Sequence, residues 1–413
     1  MIGAGPCGLT ALKNLLQAGC RDVVCYEESG GIGGNWAFTD DPDRASVHSS
    51  THIISSRRMS SFEDFPMPSR YPDFPSHREM LAYFTDYARA FRLDPYLHLG
   101  ARVERCELDG HGRWTVRVLA AGVARTETFD ALVVCSGHHR DPFVPDYPGT
   151  FAGTIVHSSA YKRAERFRGG RVLVVGGGNS AADIAVDLAR FASRTAISVR
   201  RGTYIVPKLM FGQPIDIVHT YWRTIVPGPL FSSALRLWLR LVVGRFERYG
   251  LPAPAGAPLA RPPIVNSSIL PALRDGRVVA RPGIEGYEGR SVRFTDGTVE
   301  EFDAIVMATG FRTSFPFLPD GIVDRDATGA PSLYLNMMHA TIPSLFFIGL
   351  VQPIGCIWRL ADHQARIAAL QISGRLRRPA DIGAGIRRSK PRRSLEVDYH
   401  TFRRRLMREL TRA

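Results

Sequence analysis

The sequence predicts an α/β fold of two dinucleotide-binding, Rossmann-like domains, one inserted into the other. Three observations carry that prediction. A Gly-x-Gly-x-x-Ala turn stands between an apolar run and a helical stretch within Arg171–Arg201. A Gly-x-Gly-x-x-Gly turn opens the chain at Gly3. The run Asp130–Gly137 is repeated in kind at Phe302–Gly310, each a buried strand ending in glycine.

The central stretch organises the rest. Val172–Val175 is four consecutive apolar residues, enough for one buried parallel strand. Gly176 permits the tight turn, Gly178 lets backbone approach a pyrophosphate, and Ala181 keeps the helix close to its strand. The helix opens at Asn179 and Ser180, offering free N–H groups and partial positive charge. Ala196–Val199 is the next strand. Where an acid would hold a ribose 2′-hydroxyl, Arg200 and Arg201 stand instead. Two guanidinium groups suit a 2′-phosphate, so this half is read as binding NADP(H).

The opening unit has the opposite selectivity. Gly3, Gly5 and Gly8, with Pro6 and Cys7 between them, lead into a helix ending near Ala18. Asp22–Tyr26 is the next strand, and Glu27 follows it, 19 residues after Gly8. That is the distance a ribose-binding acid needs. Glu28 is an alternative; strand register favours Glu27. FAD is the natural ligand. Gly30, Gly31, Gly33 and Gly34 then lead to Asn35 and Trp36, a loop that lets backbone pass close to a flat cofactor. Only Met1 and Ile2 precede the first turn, so the first strand reads as clipped and FAD binding as weakened.

Composition bounds the alternatives. At 413 residues, 45% apolar and 22% charged, the chain has ample core for two or three domains. No apolar run is long enough for a transmembrane helix, and no signal-peptide pattern is present. Six scattered cysteines predict reduced thiols and a cytoplasmic location; Cys20 and Cys25 are read as structural. Of the net charge of +14, +9 lies in residues 375–413, with 13 Lys/Arg against 4 Asp/Glu. This basic tail lacks interleaved aromatics and reads as a solvated, partly helical segment; no nucleic acid is expected as partner. No catalytic triad or metal-ligand cluster stands out.

The remaining elements follow in order. Phe62–Pro75 is an ordered aromatic loop, and Glu79–Arg92 is a helix carrying Tyr83, Phe84, Tyr87 and Phe91. Val103–Leu108, Trp114–Val118 and Glu127–Asp130 are antiparallel strands with Asp-Gly and Ala-Gly turns. Residues 202–271 are the least readable. Leu230–Arg248 is amphipathic, either a packed helix over the substrate site or a membrane-surface helix in weak contact. Arg277–Phe302 holds a small sheet, Ser344–Leu350 a last strand, and Ala361–Gly374 a helix.

The stretch Phe151–Lys162 resembles the FxGxxxHxxxY identifying sequence of the flavin-containing monooxygenases, class B flavoprotein monooxygenases. Five further stretches are similar in the expected order: GAGPCGL at Gly3, GGIGGNW at Gly30, CSGHH at Cys135, ATGFRTSFPFL at Ala308 and GLVQPIG at Gly349. Tyr161, where Baeyer–Villiger enzymes usually carry Trp, favours the flavin-containing branch. The resemblance implies an N,N-dimethylaniline-type activity. NADPH reduces FAD, reduced flavin takes O₂ to a C4a-hydroperoxyflavin, and retained NADP⁺ protects it. Its distal oxygen then passes to a soft nitrogen or sulfur of a small organic substrate. The resemblance places Gln352 by the flavin ring. Such an enzyme positions two cofactors and excludes water, with little acid–base work of its own.

It further implies domains at 1–164 (FAD, first part), 165–303 (NADP, inserted) and 304–374 (FAD, second part), then the tail. The fingerprint is read as an interdomain linker, with His157 in a structural or closure role. Many members carry Asn in the stretch His52–Met59; here Ile54 stands there, with Ser55 or Ser56 as replacement donors. Catalytic candidates are thus limited to Ser55 and His157. Ile54 keeps open an uncoupled NADPH oxidase making hydrogen peroxide, and the clipped strand a non-catalytic relic.

Overall fold

The computed structural model describes residues 1–388 and 395–412. The chain divides into two compact units, Met1–Ala37 with Arg57–Arg140 and Thr313–Ala413, and Phe38–Ser56 with Asp141–Arg312.

In the first unit a parallel ladder runs Leu97–Leu99, Cys25–Glu27, Ile2, Leu132–Val134, Leu345–Phe347. Cys25–Glu27, Leu132–Val134 and Leu345–Phe347 are buried throughout, as expected of strands covered on both faces. The two-residue first strand occupies the centre of this ladder. Ile2 N–H donates to Val133, Cys135 N–H donates to Ile2, and Gly3 N–H donates to Tyr26, at 2.8–3.0 Å.

Helix Pro6–Gln17 packs on helix Ile357–Ile372 and on helix His77–Ala90. The latter starts two residues before its expected place, because Ser76 and Glu79 form a reciprocal capping box. Tyr83, Phe84 and Tyr87 are buried; Phe91 caps the helix. Lys13 is buried between Asp64 (2.6 Å) and Asp362 (2.8 Å), and Asp362 also accepts from Asn14 and Thr10. Strands Ala101–Leu108, Trp114–Ala120 and Val123–Phe129 form an antiparallel sheet that buries Trp114, Val116 and Val118 on one face.

The basic C-terminal stretch is not simply solvated. Helix Tyr399–Leu410, capped by Asp398, buries Tyr399, Phe402 and Leu406 and packs on helix Ile357–Ile372. Strand Glu396–Val397 pairs in parallel with Gln352–Pro353. The arginines occupy the outer face of an amphipathic helix whose apolar stripe is docked.

The second unit is built on a five-stranded parallel sheet in the order Val279–Arg281, Arg194–Ser198, Arg171–Val175, Ala304–Met307, Thr154–His157. Helix Asn179–Leu188 covers it, burying Ala181, Ile184, Ala185 and Leu188. Within the fingerprint, Thr154–His157 pairs with Ala304–Met307 as the edge strand, so residues 141–164 lie in this unit. Ile284–Glu288, Ser291–Phe294 and Val299–Glu301 form a small antiparallel sheet.

The region unreadable in sequence contains two helices, Ile215–Ile225 and Gly228–Val242. The second buries Phe231, Leu235 and Leu239, while Leu230, Leu237 and Leu241 are exposed. Among the described residues no helix is long and apolar enough to cross a membrane.

Candidate functional site: two nucleotide cradles

The first cradle is the turn between Ile2 and helix Pro6–Gln17. A Cβ on Gly8 would stand 1.9 Å from the Gly3 carbonyl oxygen, so the helix can approach the turn only without a side chain there. Pro6 begins the helix, where its missing N–H costs nothing. Glu27 is buried at the strand end. Its carboxylate accepts the Ala4 N–H (2.8 Å) and the Ser29 N–H (2.9 Å), tying strand end to glycine turn. Glu28 is exposed and paired with Arg140 at 2.8 Å, which leaves Glu27 as the acid at the turn.

Gly5 lies against Gly34, and Gly34–Trp36 forms one tight helical turn. That turn places Asn35 and Trp36 beside the cradle, with the Trp36 ring edge-on to Trp358 at 5.7 Å. Gly349 abuts Cys7, so the stretch leading to Gln352 closes on the same helix N-terminus. Burial pushes the Cys7 thiol up to about 12, with Cys356 adding to it, so Cys7 is a neutral neighbour for a phosphate. Gly30 and Gly31 have open space where a side chain would stand.

The second cradle repeats the design. Gly176 has φ +150°, and a Cβ on it would lie 2.2 Å from the Ala308 carbonyl oxygen. Ala181 is fully buried against the turn, Gly178 opens onto free space at the helix start, and Ser180 is exposed there. The Asn179 side chain is spent elsewhere: it donates to Pro263 (3.3 Å) and accepts from Val265 N–H (2.7 Å). Its backbone N–H stands at the helix start, where a phosphate would sit. Arg200 and Arg201 are exposed beyond strand Arg194–Ser198, and neither forms an ion pair among the described residues.

His157 is buried at the end of the edge strand. Its Nε2–H donates to the Gly310 carbonyl (2.9 Å), so Nδ1 accepts from Ser159 Oγ (2.9 Å) and Ser159 N–H (3.2 Å). Burial lowers its pKa. A neutral imidazole with both nitrogens engaged holds the fingerprint to the chain leaving Ala304–Met307. Ser55 is half-buried, Ile54 is exposed, and Ser56 is buried with its N–H on Asp216 at 2.6 Å.

Several groups escaped sequence reasoning because their partners are remote. Tyr161 O–H donates to Asp187 at 2.8 Å. Asp183 accepts from Asn266 at 2.6 Å, and burial raises its carboxyl to about 6 against the opposing pull of Lys208. Lys162 is buried on three oxygens.

A sequence profile described as flavin-binding monooxygenase-like matches residues 1–388. The chain is 36% identical over 399 residues to dimethylaniline monooxygenase (N-oxide-forming) 2 of Rattus norvegicus, covering 92% of this chain and 74% of that protein. It is 36% identical over 384 residues to flavin-containing monooxygenase 2 of Homo sapiens, covering 89% and 71%. Among solved structures it is similar to S-allyl-L-cysteine S-oxygenase from Allium sativum, with TM-score 0.75 and 25% identity over 100% of this chain and 88% of that one. NADP⁺-bound cyclohexanone monooxygenase from Rhodococcus sp. Phi1 shares the fold, with TM-score 0.66 and 18% identity over 90% and 83%.

Proposed function

The chain belongs to the flavin-binding monooxygenase-like family, and from that premise we propose that it oxygenates a soft nucleophilic nitrogen or sulfur centre of a small organic molecule. It is an NADPH-dependent flavin monooxygenase, with FAD and NADP(H) as cofactors and O₂ as co-substrate. Bound FAD supplies the redox chemistry, taking a hydride from NADPH and activating O₂. The observation that carries the reading is the pair of cradles with opposite termini: Glu27 at one, Arg200 and Arg201 at the other. Open space at Gly30, Gly31 and Gly178 supports the fit of a dinucleotide to each. Relatives named for forming an amine N-oxide and for oxygenating a thioether sulfur support the two substrate classes.

This chain's residues hold the cofactors rather than carry protons. The helix that starts at Pro6 receives the FAD pyrophosphate, with Glu27 at its ribose. The helix that starts at Asn179 receives that of NADPH, with the two arginines at the 2′-phosphate. His157, already neutral and doubly bonded, keeps the fingerprint strand seated.

The test is purification with added FAD, then NADPH consumption under air with small amines and thioethers, with peroxide measured alongside. Substrate-dependent consumption with oxygenated product is expected. A colourless protein that added FAD does not rescue would refute it. Ile54 favours a second reading, an oxidase releasing hydrogen peroxide. In that case Ile54→Asn lowers the peroxide share, and an unchanged share removes Ile54 as the cause.

We also propose a weak membrane-surface contact through helix Gly228–Val242. Exposed Leu230, Leu237 and Leu241, the neighbouring Arg236 and Arg240, and the absence of acidic residues from 217 to 246 support it. Binding to anionic vesicles that L237S/L241S abolishes is the expected result. Six free cysteines support a reducing, cytoplasmic compartment.

A further inference from the structure

We propose that Lys162 is a positioning residue: with Arg163 and Arg166 it clamps segment 38–56 onto the nucleotide-binding unit, and the clamp sets how fully NADPH oxidation is coupled to oxygenation. The inference rests on the function proposed above, and it concerns residues that the fingerprint pattern leaves without a task.

The geometry is specific. Lys162 is 1% exposed, and its Nζ donates to the Arg44 carbonyl (2.6 Å), Ser46 Oγ (2.8 Å) and the Ser159 carbonyl (2.8 Å). Its own carbonyl accepts the Ser49 N–H at 2.9 Å. All three ammonium hydrogens are therefore used, and none goes to a carboxylate. Arg163 grips Asp40 through two bonds (2.6 and 2.8 Å) and lies over the Phe38 ring, while Arg166 donates to the Asp40 carbonyl at 3.0 Å.

Tyr161, edge-on to His48 at 5.5 Å, transmits the hold to helix Asn179–Leu188 through Asp187. At the far end Asp216 takes the Ser56 N–H. Segment 38–56, which carries Ile54 and Ser55, is thus fastened at both ends to the unit that holds the second cradle. A buried ammonium on neutral oxygens is a costly way to fasten a loop, which argues for a requirement on its position.

The charge predicts a sign. Burial draws Lys162 down to about 8, with Asp41 and Asp40 opposing and Arg166 and Arg44 adding to the fall. When the segment lifts, the amine regains its ordinary, higher pKa and takes up a proton. Opening therefore becomes harder as pH rises above about 8, by up to about tenfold per pH unit. Below that value it is independent of pH.

The experiment is hydrogen–deuterium exchange over residues 44–50 of the FAD-loaded protein, corrected for intrinsic rates, alongside the peroxide-to-NADPH ratio. Lys162→Met should raise exchange at least tenfold, abolish its pH dependence above pH 8, and raise the peroxide share several-fold at unchanged FAD content. Asp40→Asn, which leaves the buried lysine intact, should raise exchange around residues 39–44 and shift the peroxide share the same way. Unchanged exchange in both variants overturns the clamp. Raised exchange with an unchanged peroxide share overturns its role in coupling. A wild type that consumes no NADPH refutes the proposed function and the coupling role with it, while exchange alone still decides the clamp.

Discussion

Removing the arginines at the second cradle separates NADPH from NADH. Arg200 and Arg201 are exposed and form no ion pair among the described residues, so no ion pair is lost with their charge. Arg201→Ala is the cleaner change, because the Arg200 stem also lies against Gly283. A hydrogen bond to a charged group contributes about 1.5–3 kcal/mol; solvent exposure places this one at the lower end, about 1.5 kcal/mol. Since about 1.4 kcal/mol is tenfold in affinity, Arg201→Ala should raise the KM for NADPH roughly tenfold and leave that for NADH unchanged. The double variant should approach a hundredfold if the two contributions add. Steady-state kinetics with each cofactor, at low and high salt, measures this. The wild-type preference should shrink as salt rises. Equal losses for both cofactors, or none for NADPH, would refute the assignment of the 2′-phosphate to these residues.

Three other outcomes follow from the packing. Gly8→Ala and Gly176→Ala each force backbone apart, at a cost of about 1–3 kcal/mol or more; the first should strip FAD absorbance and the second only NADPH affinity. Lys13→Met leaves Asp362 buried without its cation and should lower stability by about 3–5 kcal/mol in urea unfolding. Burial alone would raise the Asp362 carboxyl, but Lys13 together with the Thr10 and Asn14 hydrogen bonds holds it below the ordinary value. The contribution is therefore present above the unfolded carboxyl's pKa and is lost as pH falls through the depressed one, an acid limb that Lys13→Met should weaken. Deleting residues 395–413 takes a strand from Gln352–Pro353 and the Tyr399 ring from Gly355, and should speed FAD loss on dilution; unchanged retention would make the C-terminal helix irrelevant to the flavin.

The elements most legible beforehand share one property. The glycine turn and the charged residue that ends the following strand (Glu27 in one half, Arg200 and Arg201 in the other) lie within about thirty residues of one another in each half, as parts of one contiguous strand–turn–helix unit. Helix His77–Ala90 and the antiparallel sheet were legible for the same reason, through local periodicity. The edge strand Thr154–His157 was not. It has one half-buried residue before His157 and no alternating pattern, because only one flank meets a partner, 150 residues away in sequence. The C-terminal helix hid its docked stripe of Tyr399, Phe402 and Leu406 among arginines that face outward.

By itself, then, the sequence determined the family, the two cradles and their opposite charge, because glycine geometry and terminal charge are properties of contiguous chain. Tertiary structure alone decided what fastens the second unit together. Lys162 meets Arg44 across 118 residues, Tyr161 meets Asp187 across 26, and His157 meets Gly310 across 153. A buried cation on backbone oxygens leaves no pattern in composition or spacing. Its partners are ordinary carbonyls that any residue supplies, and only folding brings them within reach of the same ammonium.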